Sequence, residues 1–467
     1  LHNFSVIVIL GVKLYNKFGT ATVLFVFLHK VAVVFSKPYH KRMLNRRDFI
    51  INGSLMAGAV ALTGPVFGEN SIGLAKTIRV GLIGCGGRGT GAIFQALDAD
   101  PDVQVTALAD VFEDNLADTL ASLKEKYGAR IKVDEKSSFL GFDAYERLIK
   151  SNVDVVLLCT PPNFRPAHLT LAIKEGKHVF CEKPVAIDIP GLHQVEAAVK
   201  LAKEKKLCLV SGFCFRYSFP NREIISRVHA GAIGDIKSIS TFRHGGELSY
   251  KERQPSWSDM VYQLRNWYYY QRYSGDMIVE QTIHSLDYMS WILNDELPKK
   301  VTATGGRQSR PWNKFGNVYD HFTVEYEYGN GFRGFHFGRQ QNGTTPRNTV
   351  EAMGTKGYFN VALNSNYEII GEQAWKNKDR LNNMYQTQHD ELFKAIRDGV
   401  AVNDGDFMVK STLLAIWGRL SAYSGKSIGY EEVINLQERL GPAAEEYHWD
   451  MKIDELTIAR PGSYKLT

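Results

Sequence analysis

Cysteine is scarce in this chain: there are five in 467 residues (Cys85, Cys159, Cys181, Cys208 and Cys214), with no CxxC pair among them. That excludes a disulfide framework, and the five read as buried thiols in strands, largely indifferent to an oxidising compartment. Long uncharged apolar runs are missing too. The longest, Phe18–His29, is too short to cross a bilayer, and Phe18–Phe35, with Lys30 inside it, spans one only marginally. Repeats and low-complexity linkers are absent. So is a basic body. Residues 1–70 hold eight Lys/Arg against Asp48 and Glu69, so the whole formal charge of +6 lies there and the remaining 397 residues sum to zero. Beyond a local patch, nothing offers the basic surface that nucleic-acid binding needs. What is present, 44% hydrophobic and 23% charged residues over this length, supports a substantial core divided between two domains.

Residues 1–42 read as upstream sequence outside the native protein, or as an added membrane anchor, and Met43 reads as the biological start. From there Arg46-Arg47-Asp48-Phe49 precedes a weakly apolar stretch containing Gly53, Gly58 and Gly64. Residues 43–70 thus resemble a twin-arginine export signal, with cleavage near Gly68–Asn70. The resemblance implies handling by the twin-arginine translocase, which carries folded proteins, and a periplasmic destination.

Thr77–Ile83 is a β-rich run leading into Gly84-Cys85-Gly86-Gly87-Arg88-Gly89, after which Ala92–Leu97 reads as helix. Strand, GxGxxG and helix in that order form a dinucleotide-binding unit: Gly84 for the tight turn, Gly86 for approach to a pyrophosphate, Gly89 for helix–strand packing. A second strand, Val103–Ala109, ends at Asp110, where a carboxylate can accept from ribose hydroxyls and favours NAD. Arg88 leaves NADP open, since it can stack on adenine or meet a 2'-phosphate. Asp110 can also simply cap the helix starting near Glu113. Alternation continues to Phe213 through helices Leu116–Tyr127, Tyr145–Lys150, Ala167–Glu175 and Leu192–Lys205 and strands Val153–Cys159, His178–Cys181 and Leu207–Phe213, so residues 76–213 form a parallel α/β Rossmann domain. Thr160-Pro161-Pro162-Asn163 and Glu182-Lys183-Pro184 fall at strand carboxyl ends, where ligands of such sheets sit. Thr160, Pro161, Asn163, Glu182 and Lys183 therefore join the glycine loop and Asp110 as candidate cofactor contacts. His168 reads as solvent-facing or packed.

Residues 214–440 form a second α/β domain. Ile236–Phe242 reads as strand, runs into Arg243-His244-Gly245-Gly246, and is followed by an aromatic insertion with Arg265, Trp267, Tyr269 and their neighbours. The insertion serves either a sugar-binding surface or a core and subunit interface. Tyr268–Tyr270 cannot all face one pocket. Val301–Thr304, His321–Tyr328, Gly331–Phe337 and Tyr358–Leu363 read as antiparallel strands with a hairpin signal at Asn330-Gly331. His389–Arg397 and Met408–Tyr423 read as helices, and residues 441–467 as a tail.

The series of glycine loop, Asp110, Thr160-Pro161-Pro162, Glu182-Lys183-Pro184, Glu280/His284/Asp287 and Gly354-Thr355-Lys356-Gly357 resembles the Gfo/Idh/MocA oxidoreductase family over roughly Lys76–Ser427. The resemblance implies an amino-terminal Rossmann domain followed by an α/β domain with a large open, mostly antiparallel sheet that covers the active site and supports homo-oligomers. It implies NAD or NADP as cofactor and a sugar or cyclic polyol as substrate. It also places Lys183 beside the reacting hydroxyl and nicotinamide, and matches His284 to the catalytic histidine. Glu280 stands where the family usually has Asp.

Glu280, His284 and Asp287 fall on one face of an expected helix, Gln281–Leu293 or its entry. His284 suits the base, Lys183 can donate to the alcohol oxygen, and Glu280 can orient His284 or grip a hydroxyl. Arg216, Arg265, Trp267, Tyr269 and Asp287 are candidate substrate contacts. Glu280 and His284 offer two metal ligands and no third of fixed spacing, so no metal is assigned. The leading expectation is an exported NAD(P)-dependent sugar oxidoreductase with tightly held cofactor. A glycoside-cleaving enzyme using transient sugar oxidation and a noncatalytic sugar- or nucleotide-binding protein are the alternatives.

Overall fold

The computed structural model describes residues 77–467 except 312–313, 330 and 454–455, together with the backbone of 6–7, 23–27 and 30–34. The unit Leu1–Ser71 contains a three-stranded sheet of β1 (Val6–Ile7), β2 (Val23–Phe27) and β3 (Lys30–Val34). The expected signal at 43–70 and Asn330 of the hairpin signal lie outside the described residues.

The unit Ile72–Thr467 opens with a six-stranded parallel sheet. It contains β4 (Ile78–Ile83), β5 (Val103–Asp110), β6 (Ser138–Leu140), β7 (Val155–Leu158), β8 (His178–Cys181) and β9 (Leu209–Ser211) in the order β6-β5-β4-β7-β8-β9. β7 is Val-Val-Leu-Leu and wholly buried, as a strand covered by helices on both faces must be. The helices are α1 (Gly87–Ala99), α2 (Glu113–Tyr127), α3 (Ala144–Ile149), α4 (Arg165–Lys174) and α5 (Ile189–Glu204). The strand order turns back between β4 and β7, which opens a crevice at their carboxyl ends.

After α6 (Phe219–His229) the chain enters a nine-stranded sheet. Its first strand, β10 (Ile236–Gly245), is followed by α7 (Asp259–Arg265), α8 (Gln271–Ser274), α9 (Met277–Glu280) and α10 (Ile283–Ile292). Then come β11 (Lys300–Gly306), β12 (His321–Glu327), β13 (Arg333–Gln340), β14 (Arg347–Gly354), β15 (Gly357–Ala362), β16 (Asn366–Gly371) and β17 (Trp375–Lys376). All pairings are antiparallel except β10 with β13. The buried face is alternate residues, as in Phe322, Val324 and Tyr326 of β12.

The second segment does not stay in its own domain. α11 (Met384–Asp398) returns to α1, where Gln386 Nε2 donates to Gln95 O at 2.9 Å and Arg397 pairs with Asp100 at 2.7 Å. Leu392, Phe393 and Ile396 thereby enter the core of the parallel sheet. α12 (Gly405–Ser424) is buried nearly all round, packed on α5, α10 and β11, so it is a core helix between the two sheets, and β18 (Ile428–Gly429) ends the nine strands beside β11.

Candidate functional site

Two adjoining chambers lie along the crevice, sharing Cys159 and Trp267 in their walls. The first is lined by Gly84, Gly86, Asp110, Phe112, Thr160 and Pro161, among others. Gly84 turns the chain at φ +94, and a Cβ there would come within 2.8 Å of Cys159 carbonyl carbon. A Cβ on Gly89 would sit 1.8 Å from Gly84 O, so α1 can approach the loop only with glycine there. α1 starts at Gly86 without a side-chain cap, leaving its first amides unsatisfied by side chains. Asp110 accepts from Cys85 N at 2.7 Å and Phe112 N at 2.8 Å, so it steadies both the glycine loop and the entry to α2 while facing the chamber. Burial pushes its pKa up, against these hydrogen bonds.

The residues present fit a dinucleotide. An added Cβ at Gly86 or Gly87 meets nothing within 4 Å, so the space over the bare helix end is open for phosphates. Phe112, Phe142 and Phe164 line the far end of this chamber, and the carboxyl-terminal tail closes on them. Trp449 lies 4.8 Å from Phe142 and 5.7 Å from Phe112, and Tyr447 lies 4.8 Å from Phe164.

The second chamber, about 290 Å³, holds Lys183, Glu182, Glu280 and His284. Lys183 Nζ donates to Glu280 O at 2.6 Å and to Oε1 at 3.0 Å. Glu182 binds Arg88 Nε at 2.6 Å. Buried Arg165 donates to Pro184 O at 2.6 Å and Thr160 O at 2.5 Å, tying the two proline-bearing loops together. His284 stands between Phe213 and Phe215 with Nδ1 buried and unpartnered among the described residues. Burial first, then the charges of Lys183, Arg243 and Arg88, hold its pKa well below the ordinary value. His284 is neutral at pH 7 and able to accept a proton.

Several expected contacts lie elsewhere. The helix expected at Gln281–Leu293 is α10, and Glu280 lies before it at the end of α9: Met277 O accepts from both Gln281 N (2.9 Å) and Thr282 N (3.0 Å), and this extra residue puts Glu280 out of phase with α10. Asp287 is not in the chamber wall: it is fully buried, bound to Arg216 at 2.9 Å and Ser411 at 2.8 Å. Arg216 spends its guanidinium on Asp287 and on Asp295 at 2.6 Å, and neither Arg216 nor Asp287 lines either chamber. Tyr269 is in the core, donating to Leu248 O at 2.5 Å, whereas Trp267 and Tyr268 reach the second chamber. Arg265 pairs with Asp114 at 2.8 Å and lies over Phe112, at the first chamber's end. Asn163 turns to Tyr447, donating to its hydroxyl at 3.2 Å. Arg88, bound to Glu182, lines the second chamber and not the first. His168 is buried, 4.1 Å from Tyr145. Arg165, Arg243 and Tyr385 are among the chamber residues that no sequence motif marks with a role; of these three, only Arg243 lies in a distinctive run, Arg-His-Gly-Gly.

A parallel dinucleotide fold whose crevice is closed by a second domain, with Glu280 of α9 and His284 of α10 set against Lys183, defines a nicotinamide-dependent oxidoreductase. The chain belongs to the Gfo/Idh/MocA oxidoreductase family: the family's NAD-binding Rossmann fold matches residues 78–213 and the GFO/IDH/MocA C-terminal domain matches residues 221–360. It is 24% identical over 325 residues to an uncharacterized oxidoreductase of Streptococcus pneumoniae, covering 67% of this chain and 79% of that protein. It is 27% identical over 228 residues to the inositol 2-dehydrogenase of Rhizobium meliloti, covering 49% of this chain and 58% of the relative, so the match spans little more than half of that enzyme. The crystal structure of aldose-aldose oxidoreductase from Caulobacter crescentus, complexed with glycerol, shares the fold with a TM-score of 0.59 at 20% identity, over 76% of this chain and 99% of that one.

Proposed function

We propose that the protein oxidises or reduces a secondary hydroxyl of a sugar or cyclic polyol by hydride transfer, with NAD held tightly along the crevice. The observation that carries this reading is the Lys183–Glu280 pair at 3.0 Å, set with His284 in a chamber that adjoins the glycine-loop chamber. Names of similar proteins, an inositol 2-dehydrogenase and an aldose-aldose oxidoreductase, support the substrate class. When bound, nicotinamide supplies the hydride acceptor or donor. Lys183 donates to the alcohol oxygen and stabilises charge developing there, Glu280 fixes the Lys183 ammonium, and neutral His284 takes the hydroxyl proton. Asp110, with Arg88 turned away from it, favours NAD over NADP. The test is to purify the chain, identify retained dinucleotide by mass spectrometry, and incubate it with free sugars and with aryl glycosides. Net oxidation or reduction of a free sugar is expected. Aglycone release without net NADH would instead indicate glycoside cleavage.

The acid limb of kcat/KM reports protonation of the base. Because His284 is depressed below the ordinary histidine value of about 6.5, the base stays available as pH falls through that value, and the limb is expected below it. A limb at pH 6.5 or above contradicts His284 as the base.

Tight retention of cofactor, suited to export through the twin-arginine route, draws support from the aromatic tail over the first chamber. Trp449→Ala is expected to speed dinucleotide release by about 2- to 10-fold, the loss of an aromatic pair, as read by trapping released cofactor. A homo-oligomer is supported by the outward row Met353, Tyr358 and Ile370 across β14, β15 and β16, and light scattering on the purified chain tests it.

A further inference from the structure

The second chamber has an excess of positive charge. Arg88, Arg165, Lys183 and Arg243 face only two carboxylates, Glu182 and Glu280, and His284 adds no negative charge. Three of the cations are already engaged: Arg88 by Glu182, Arg165 by the carbonyls of Pro184 and Thr160, Lys183 by Glu280. Arg243 is different. It makes no hydrogen bond or ion pair among the described residues, although it is only partly exposed and lines the chamber. It stands near the carboxyl end of β10, in the sheet opposite the dinucleotide fold, so its placement does not follow from a need to bind pyrophosphate at the amino end of α1. Its charge reaches both Glu280 and His284, which puts it on the reacting side of the chamber. Across the ladder Asn348 pairs with Arg243, and the Asn348 amide oxygen is buried without a partner among the described residues.

We propose that the substrate is an anionic sugar or polyol bearing a carboxylate, a uronate or an aldonate, and that Arg243 binds that carboxylate. A guanidinium offers two parallel N–H donors matched to a planar carboxylate, and a half-buried cation with no internal partner gains most from a ligand that supplies the missing charge. The chamber, about 290 Å³, lies at the small end of ligand pockets, the scale of a single sugar ring. Arg243 thus sets specificity by leaving a neutral ligand beside an uncompensated cation.

This rests on the proposed oxidoreductase reading, and the test separates the two. NAD-loaded chain is titrated calorimetrically with glucuronate, gluconate, glucose, myo-inositol and glucose 6-phosphate, and the same compounds are assayed for nicotinamide reduction. Glucuronate or gluconate is expected to bind at least 10-fold more tightly than either neutral compound. Arg243→Gln is expected to weaken carboxylate binding by about 10- to 100-fold and so to narrow or abolish the preference over neutral compounds. Arg243→Lys, which keeps the charge and loses the fork, recovers part of it and guards against misfolding of the Gln variant. Arg243-dependent binding of a carboxylate without turnover upholds this inference and counts against the redox reading. Turnover of neutral sugars, with no tighter binding of either carboxylate and no effect of Arg243→Gln on carboxylate affinity, upholds the redox reading and overturns this inference, as does a preference for glucose 6-phosphate over both carboxylates.

Discussion

Lys183→Ala is expected to lower kcat by roughly 10²- to 10⁴-fold while the protein keeps its dinucleotide. The ammonium is 12% exposed and anchored twice to Glu280, once through the side chain and once through the backbone oxygen, so its position is fixed before substrate arrives. A donor held in this way acts where charge develops on the alcohol oxygen, and its removal costs rate more than ground-state binding. Lys183→Arg is expected to recover little, since the larger fork cannot keep both contacts to Glu280. Single-turnover kinetics with the retained cofactor measures the loss; an unchanged rate constant for Lys183→Ala would remove the residue from the chemistry.

The second large effect is on stability. Arg216→Ala is expected to cost about 3–5 kcal/mol of unfolding free energy, because it leaves Asp287 buried with its main counter-charge gone. Asp287 is 1% exposed in its side chain, its Oδ2 has no partner among the described residues, and burial already pushes its pKa up. Urea unfolding of the purified variant measures the cost. Kinetic constants per folded molecule should change little, since the pair lies outside both chambers. A loss of activity without loss of stability would return Arg216 and Asp287 to the substrate.

Much of the parallel domain is legible in the sequence because each of its strands is a short, continuous apolar run between helical periods, and a glycine loop marks the turn. β4, β5 and β8 fall within a residue or so of their expected bounds. Lys183 and His284 also come to one chamber as expected. The misses have physical causes. Glu280 and Asp287 do not share the one face that regular spacing gives them, because one extra residue in the turn after Glu280 breaks the phase between α9 and α10. β14 (Arg-Asn-Thr-Val-Glu-Ala-Met-Gly) and β16 (Asn-Tyr-Glu-Ile-Ile-Gly) are hard to read in the sequence because apolar residues fall on both faces of these short strands and blur their alternation. The return of α11 to the first domain depends on long-range packing that no local pattern encodes. Arg243 had no signal of its own: a charged residue on a strand reads as solvent-facing until the opposing domain closes over it.

The account depends most on where the nicotinamide ring sits. A crystal structure of the purified chain with NAD is predicted to show the adenosine beside Asp110 and the nicotinamide in the chamber with Lys183, Glu280 and His284. A ring bound outside that chamber, or no affinity of the folded protein for NAD or NADP, would contradict it.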